Sequence, residues 1–190
     1  MISAIVLAAG QSRRLKGENK LVKKFKTKPL INHVLNSLYK SKINKNIIVL
    51  GYQKEKIKKV IKKNKKNLFV TNKNFKKGIS TSIKTGLRKI SKKDEGFLIV
   101  QSDMPFIKTS DINKIYNSIK KSKSLVHVLK YKNKVGNPIG FKISVIKKFK
   151  KIKGDVGAKY MVKKLNKNTS FIKVSSNRIF KDFDLKRDFN

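Results

Sequence analysis

The amino-acid sequence predicts an α/β fold in which a mostly parallel sheet lies between two layers of helices, a three-layer αβα sandwich. Three observations carry this. Short continuous apolar runs recur along the chain, as expected of parallel strands covered on both faces. Stretches with apolar residues at helical spacing separate them, giving the strand–helix–strand order of βαβ units. Small and acidic residues suited to chemistry fall just after the apolar runs, at what would be the carboxyl ends of the strands.

Residues 2–7 form the first apolar run and feed Ala8, Ala9 and Gly10, a strand entering a tight loop. Pro29 opens a helix whose stripe is Leu30, Ile31, Val34, Leu35 and Leu38. Residues 47–50 read as a second strand closed by Gly51, and Ile57, Val60 and Ile61 mark a helix. A third strand at 68–71 is followed by Gly78, Ser80 and a helix carrying Ile83, Leu87 and Ile90. The fourth strand, 97–100, ends at Ser102 and Asp103. A helix over about 110–119 and a strand at 125–129 come next, and beyond Val135 the pattern loosens. No internal repeat and no linker is visible, so residues 1–190 are expected to form one domain.

Composition narrows the function. There is no cysteine, which removes disulfides, Cys-bound zinc and thiol nucleophiles. No basic leader precedes the first apolar run and no run is long enough to span a bilayer, so the expected location is the cytoplasm, with no membrane partner. The net charge of +40 invites a nucleic-acid reading. Yet only five of the cations are arginines (13, 14, 88, 178 and 187), and the lysines are spread over the whole chain. Bidentate phosphate contacts favour arginine, and a base-stacking platform needs interleaved aromatics that are missing here. The charge reads as solvated surface, and no specific nucleic acid is expected.

The first chemical constellation is the segment 7–14, Leu-Ala-Ala-Gly-Gln-Ser-Arg-Arg, continuing to Lys20. Small residues after a strand let backbone N–H groups close on phosphate oxygens. Arg14 and Lys20 supply cations that can follow charge onto a departing pyrophosphate. The spacing matches neither the P-loop nor the dinucleotide-binding glycine pattern. The second constellation is Asp103, a carboxylate closing an apolar strand, well placed to hold Mg²⁺ against nucleotide phosphates. Asp182 and Asp184 offer a second metal ligand. His33 and His127 read as packing residues, because neither lies in a motif that would pair with Ser12, Ser80 or Ser82.

With these residues in place, the chain resembles the MobA-like nucleotidyltransferases, most closely their molybdenum cofactor cytidylyltransferase branch. The matching blocks are LAAGQSRRLKGENKL (7–21), KPLINHV (28–34), VLGY (49–52), NKNFKKGISTSIKTGL (72–87), QSDMPFI (101–107), GNPIGF (136–141), GDVGAKYM (154–161) and DFDLKRD (182–188). The resemblance implies a Rossmann-like sheet of the nucleotide-diphospho-sugar transferase type. It implies that Leu7, Ala8, Ala9 and Gly10 lie along the nucleotide and that Arg14 and Lys20 contact its phosphates. Gly51, Asn72 and Ser80 would face the base or ribose, with Gly78 permitting the turn. Asp103 would hold Mg²⁺ with Asp184, Asp182 being the weaker alternative. Gly136, Asn137, Pro138, Gly154, Asp155 and Gly157 would line the acceptor side. The pattern departs from the family at Lys16, at Ser102 and at Leu185-Lys186, where Gly, Gly and Thr-Pro are common.

The implied reaction moves a nucleoside monophosphate from an NTP, CTP by resemblance, onto a phosphorylated acceptor, molybdopterin by resemblance, with catalysis by Arg14, Lys20 and Asp103. A monomer or weak dimer that docks a molybdoenzyme or its chaperone goes with that branch. Guanylyl transfer and sugar- or alditol-phosphate nucleotidyl transfer are the runners-up. A basic RNA-binding protein and a non-catalytic cofactor chaperone are the readings from other classes.

Overall fold

A computed structural model of the chain describes residues 1–12, 15 and 18–189. The first half runs β1 (Ile2–Ala8), a small hairpin of β2 (Lys24–Phe25) and β3 (Lys28–Pro29), α1 (Leu30–Tyr39), β4 (Lys45–Leu50), α2 (Lys54–Val60), β5 (Asn67–Thr71), α3 (Ile79–Leu87) and β6 (Gly96–Gln101). The second half adds α4 (Thr109–Lys121), β7 (Val126–Tyr131), β8 (Lys134–Lys142), α5 (Ile146–Phe149), α6 (Ala158–Lys164) and β9 (Thr169–Lys173).

Seven strands make one sheet in the order β5-β4-β1-β6-β8-β7-β9. All neighbouring pairs are parallel except those of β8, which runs against both β6 and β7. The three layers follow from the two-residue period of a strand. On β1, Ile2, Ala4, Val6 and Ala8 pack with α1, α2 and α4, while Ile5 points into the core formed with α3, α5 and α6. Burial of each such Ile or Val contributes roughly 1.5–3 kcal/mol, so a one-residue slip of β1 would exchange its two faces and forfeit both cores. The mostly parallel αβα sandwich expected from the sequence is the fold observed.

The departures have local causes. Helix α3 stops at Leu87, leaving Ile90 in the following turn. The loosened region after Val135 is ordered as β8, α5, α6 and β9. Strand β8 shows no continuous apolar run because Gly136, Pro138 and Gly140 alternate with its apolar residues. Pro138 is tolerated between two neighbours because the β7–β8 ladder breaks register between Val128 and Lys130, beside it. Strand β9 is a half-exposed edge of Thr, Ser, Phe, Ile and Lys, with no apolar run to betray it.

Candidate active site

Strands β5, β4, β1 and β6 share one direction, so their carboxyl ends share one edge of the sheet. From β1 the chain proceeds to β4 on one side, while β6 lies on the other. Such a reversal opens a crevice, because the flanking helices lie on opposite faces. A cleft of about 630 Å³ occupies this place.

Its wall is built from short ties. The Ser102 hydroxyl donates to the Leu7 carbonyl at 2.6 Å, joining the ends of β6 and β1. Ser12 takes a positive φ of 50°, and its hydroxyl accepts from the Lys20 amide at 3.2 Å. Buried Asn19 accepts from the Leu21 amide and donates to the Tyr52 carbonyl. Lys20 is thus presented from a segment held on both sides.

Its ammonium bridges two carboxylates, with Nζ 2.6 Å from Asp103 Oδ2 and 2.5 Å from Asp184 Oδ1. Asp184 arrives from the far end of the chain, on an arm secured where the Phe183 amide donates to the Asp103 carbonyl at 3.0 Å. Burial pushes the Asp103 carboxyl above its usual range, against the pull of Lys20. Burial also pulls the Lys20 ammonium down, but Asp103 and Asp184 outweigh it and its pKa is raised. The lysine is a fixed cation.

The trio fits a divalent cation. One ammonium against two carboxylates leaves a negative balance, and Asp182 lies on the same wall. Asp103 Oδ1 is buried and has no hydrogen-bond partner among the described residues. A small hard cation takes one or two protein carboxylates and completes its shell with substrate phosphates and water.

Of the residues singled out from the sequence, Leu7, Ala9, Gly10, Lys20, Gly78, Asp103, Asp155 and Asp184 line the cleft. Arg14 lies outside the described residues. Ala8, Gly51, Asn72 and Ser80 stand behind the wall. A Cβ on Gly51 would come within 2.8 Å of the Ala9 Cβ and 2.9 Å of the Phe75 Cβ, so only glycine lets these two segments meet. Asn72 is buried and donates to the hydroxyls of Thr81 and Ser82, pinning the start of α3. Gly78 has φ +98° and touches the Gly154 backbone, where the Ser80 amide donates to the Gly154 carbonyl and the Ile79 amide to Asp155 Oδ1. Gly154, Asp155 and Gly157 therefore form a loop seated on the N-terminus of α3. Gly136, Asn137 and Pro138 are not part of the cleft wall. They lie in β8 beside the end of β6, and a Cβ on Gly136 would strike Ile179.

Further lining comes from Gln11, Ser12, Phe75, Lys76, Ile79, Ser82, Gln101 and Ser102. Their signal was adjacency to the motifs, since each lies within five residues of a residue already singled out. His33 bonds the Phe25 carbonyl through Nε2, and His127 is buried in β7 with Nδ1 on the Ser118 hydroxyl. Neither belongs to the cleft. No helix among the described residues is long and apolar enough to cross a membrane.

A carboxylate pair, a bridging lysine and a small-residue loop meet at the switch of a mostly parallel sheet. Residues 4–169 match the MobA-like NTP transferase domain, and the chain belongs to that family. The bifunctional protein GlmU of Campylobacter lari is 35% identical over 116 residues, 60% of this chain and 26% of that protein. The match thus spans about a quarter of that relative's length. Among solved structures, Rv0371c of Mycobacterium tuberculosis H37Rv superposes with a TM-score of 0.85 at 19% identity, over 99% of this chain and 94% of its own. A second structure of Rv0371c is a complex with manganese, with a TM-score of 0.82 at 18% identity and coverage of 99% and 95%. CMP:2-keto-3-deoxy-manno-octonic acid synthetase complexed with CTP superposes with a TM-score of 0.75 at 11% identity, over 98% and 94%. At these identities the structures share the fold. The relatives do not single out the molybdenum cofactor cytidylyltransferase branch.

Proposed function

We propose that residues 1–190 act as one cytoplasmic transferase domain that moves a nucleoside monophosphate from an NTP to a phosphorylated acceptor. The observation that carries this is Lys20 bridging Asp103 and Asp184 at the mouth of the β1–β6 crevice. An oxygen of the acceptor phosphate attacks the α-phosphorus, the new P–O bond forms, the α–β anhydride bond breaks, and pyrophosphate leaves. The attacking oxygen is already anionic, so no general base is needed, in keeping with a cleft without histidine. The protein has to bring two anions into line and offset the charge that develops.

The amides of the 7–10 loop run along the nucleotide, and Lys20, with Arg14, takes the outer phosphates. Asp103 and Asp184 would hold Mg²⁺, which when bound offsets charge on the reacting phosphates. Gly51, Asn72 and Ser80 shape the base and ribose side from behind, through Ala9 and α3. The 154–157 loop carries the acceptor side through Asp155, with Gly136, Asn137 and Pro138 framing it from β8.

The finer reading is CTP as donor and molybdopterin as acceptor. It is supported by the ordered motif blocks, including Gly78-Ile79-Ser80 and Gly136-Asn137-Pro138, and, for the nucleotide, by a CTP complex on the same fold. A sugar-phosphate acceptor is the second reading, in line with the likeness to GlmU and to a sugar-acid synthetase. The test is pyrophosphate release from each NTP with Mg²⁺ and either molybdopterin or a sugar 1-phosphate. CTP with molybdopterin is expected to be fastest. Preference for the sugar phosphate would move the acceptor assignment, and no Mg²⁺-dependent release from any NTP would end the enzyme reading.

A further inference from the structure

The two carboxylates of the cleft are held very differently. Asp103 follows a central strand, whereas Asp184 lies on an arm after β9 whose regular pieces, among the described residues, are 3-10 turns at Asn177–Phe180 and Lys186–Phe189. A side chain on such an arm keeps its aim only if the backbone on both sides is tied down. On the near side the Phe183 amide donates to the Asp103 carbonyl, and the Phe183 ring packs edge-on against Phe25, 4.6 Å between centroids. On the far side the Phe189 ring packs edge-on against Phe183 at 5.3 Å, and the backbone at Asp184 itself is held by Asp188. Asp188 Oδ2 accepts from the Asp184 amide and from the Leu185 amide, both at 2.7 Å. The Asp188 amide in turn donates to the Leu185 carbonyl at 3.1 Å.

We propose that Asp188 is a positioning residue whose carboxylate locks the backbone at Asp184 and so aims the second acidic ligand at the cation shared with Asp103. This rests on the reading of Asp184 as a metal ligand. A carboxylate suits the task because charge-assisted bonds to backbone amides are about twice as strong as neutral ones. Spending one oxygen on two amides also turns that third acid to a structural use beside an already acidic pair. Residues that orient a metal ligand without touching the metal affect affinity and turnover by about 10–100-fold.

The test uses the full chain and Mn²⁺ as probe, titrated by its paramagnetic resonance signal alone and with a non-hydrolysable CTP analogue. Thermal unfolding is followed in parallel. Asp188→Ala is expected to weaken Mn²⁺ binding by about 10-fold or more and to lower kcat by a similar factor, with KM for the nucleotide within about 2-fold. Asp188→Asn, whose amide oxygen can still accept both bonds, should recover most of the loss. Asp188→Glu, a safeguard should the alanine variant not fold, keeps the charge but sets the oxygens a methylene further out, and should stay impaired. Mn²⁺ affinity and kcat within 2-fold of wild type in Asp188→Ala or Asp188→Glu would overturn the inference. So would an asparagine variant as defective as alanine, with both losses tracking a fall in Tm. Asp184→Asn is the control for the underlying reading. If it weakens Mn²⁺ binding and Asp188→Ala does not, the positioning role alone falls; if Asp184→Asn is silent, the ligand assignment falls with it.

Discussion

Strands β5, β4, β1 and β6 run parallel and end along the edge of the sheet that carries the cleft, which the residues just past β1 and β6 line. The other side of the sheet, β8, β7 and β9, is mixed in direction, and its buried polar residues, His127 and Asn137, lie outside the cleft. Asp103 and His127 make the contrast concrete. Both are ionisable and both are pushed by burial toward their neutral forms, Asp103 upward and His127 down to about 4. Asp103 has a cation beside it and an orphaned oxygen in a cleft wall. His127 also has a buried unpaired atom, Nε2, but its other ring nitrogen meets a serine hydroxyl and it faces neither a cation partner nor the cleft. Perturbation alone does not mark function; access to a ligand and a charge partner do.

The contrast can be broken by substitution, because the parallel side should control turnover and the mixed side stability. Asp103→Asn is expected to lower pyrophosphate release by about 10³-fold or more, since removing a metal-holding charge costs several kcal/mol of transition-state stabilisation. Its unfolding transition should stay near wild type, and wild-type turnover under saturating Mg²⁺ would remove Asp103 from the mechanism.

Lys20→Met should cost about 10²-fold in turnover, the scale for losing one preorganised charge-stabilising group. It should also tighten Mn²⁺ binding in the absence of nucleotide, because the ammonium no longer competes for Asp103 and Asp184. The exposed Lys62→Ala serves as control and should change neither quantity. Equal losses from both lysines would show that the signature position has no special role.

On the mixed side, the fold holds His127 neutral while the unfolded chain takes up a proton near pH 6.5. The stability this contributes is intact above about pH 6.5 and is lost as pH falls toward about 4, at most about 3 kcal/mol. Denaturant midpoints of wild type and His127→Phe between pH 7 and pH 4 measure it. An identical pH slope in the two proteins would refute the assignment.

The smallest effect concerns the lysine surface. Binding of a short RNA should be weak, indifferent to sequence and largely gone between ~50 and ~200 mM salt. CTP binding should keep its Mg²⁺ dependence and its base preference over the same range, because partly desolvated phosphates are screened less. RNA binding that survives salt, without a metal-dependent preference among nucleotides, would favour a nucleic-acid role instead.

Much of the parallel side was legible in the linear order of residues. Continuous apolar runs such as 47–50 and 97–100 report burial on both faces, and loops like Ala8-Ala9-Gly10 report close backbone approach. The mixed side was not, because glycines and Pro138 deny β8 a continuous apolar run, and the half-exposed edge β9 has none either. The aspartate after β6 could be suspected from its position alone, whereas nothing local in Asp182-Phe183-Asp184 shows which acid meets Lys20.

By itself the sequence determined the αβα class, the strand ends that meet along one edge of the sheet and the residue types available there, since these depend on period and side-chain chemistry. Tertiary structure decided the rest. It brought Asp184 rather than Asp182 onto Lys20 across 164 residues of chain, gave Asp188 two backbone amides to hold, and set Gly136, Asn137 and Pro138 into β8 instead of the cleft wall. Which of several like residues meet across such a separation depends on the packing of Phe183 and the register of β8, and neither is written in local spacing.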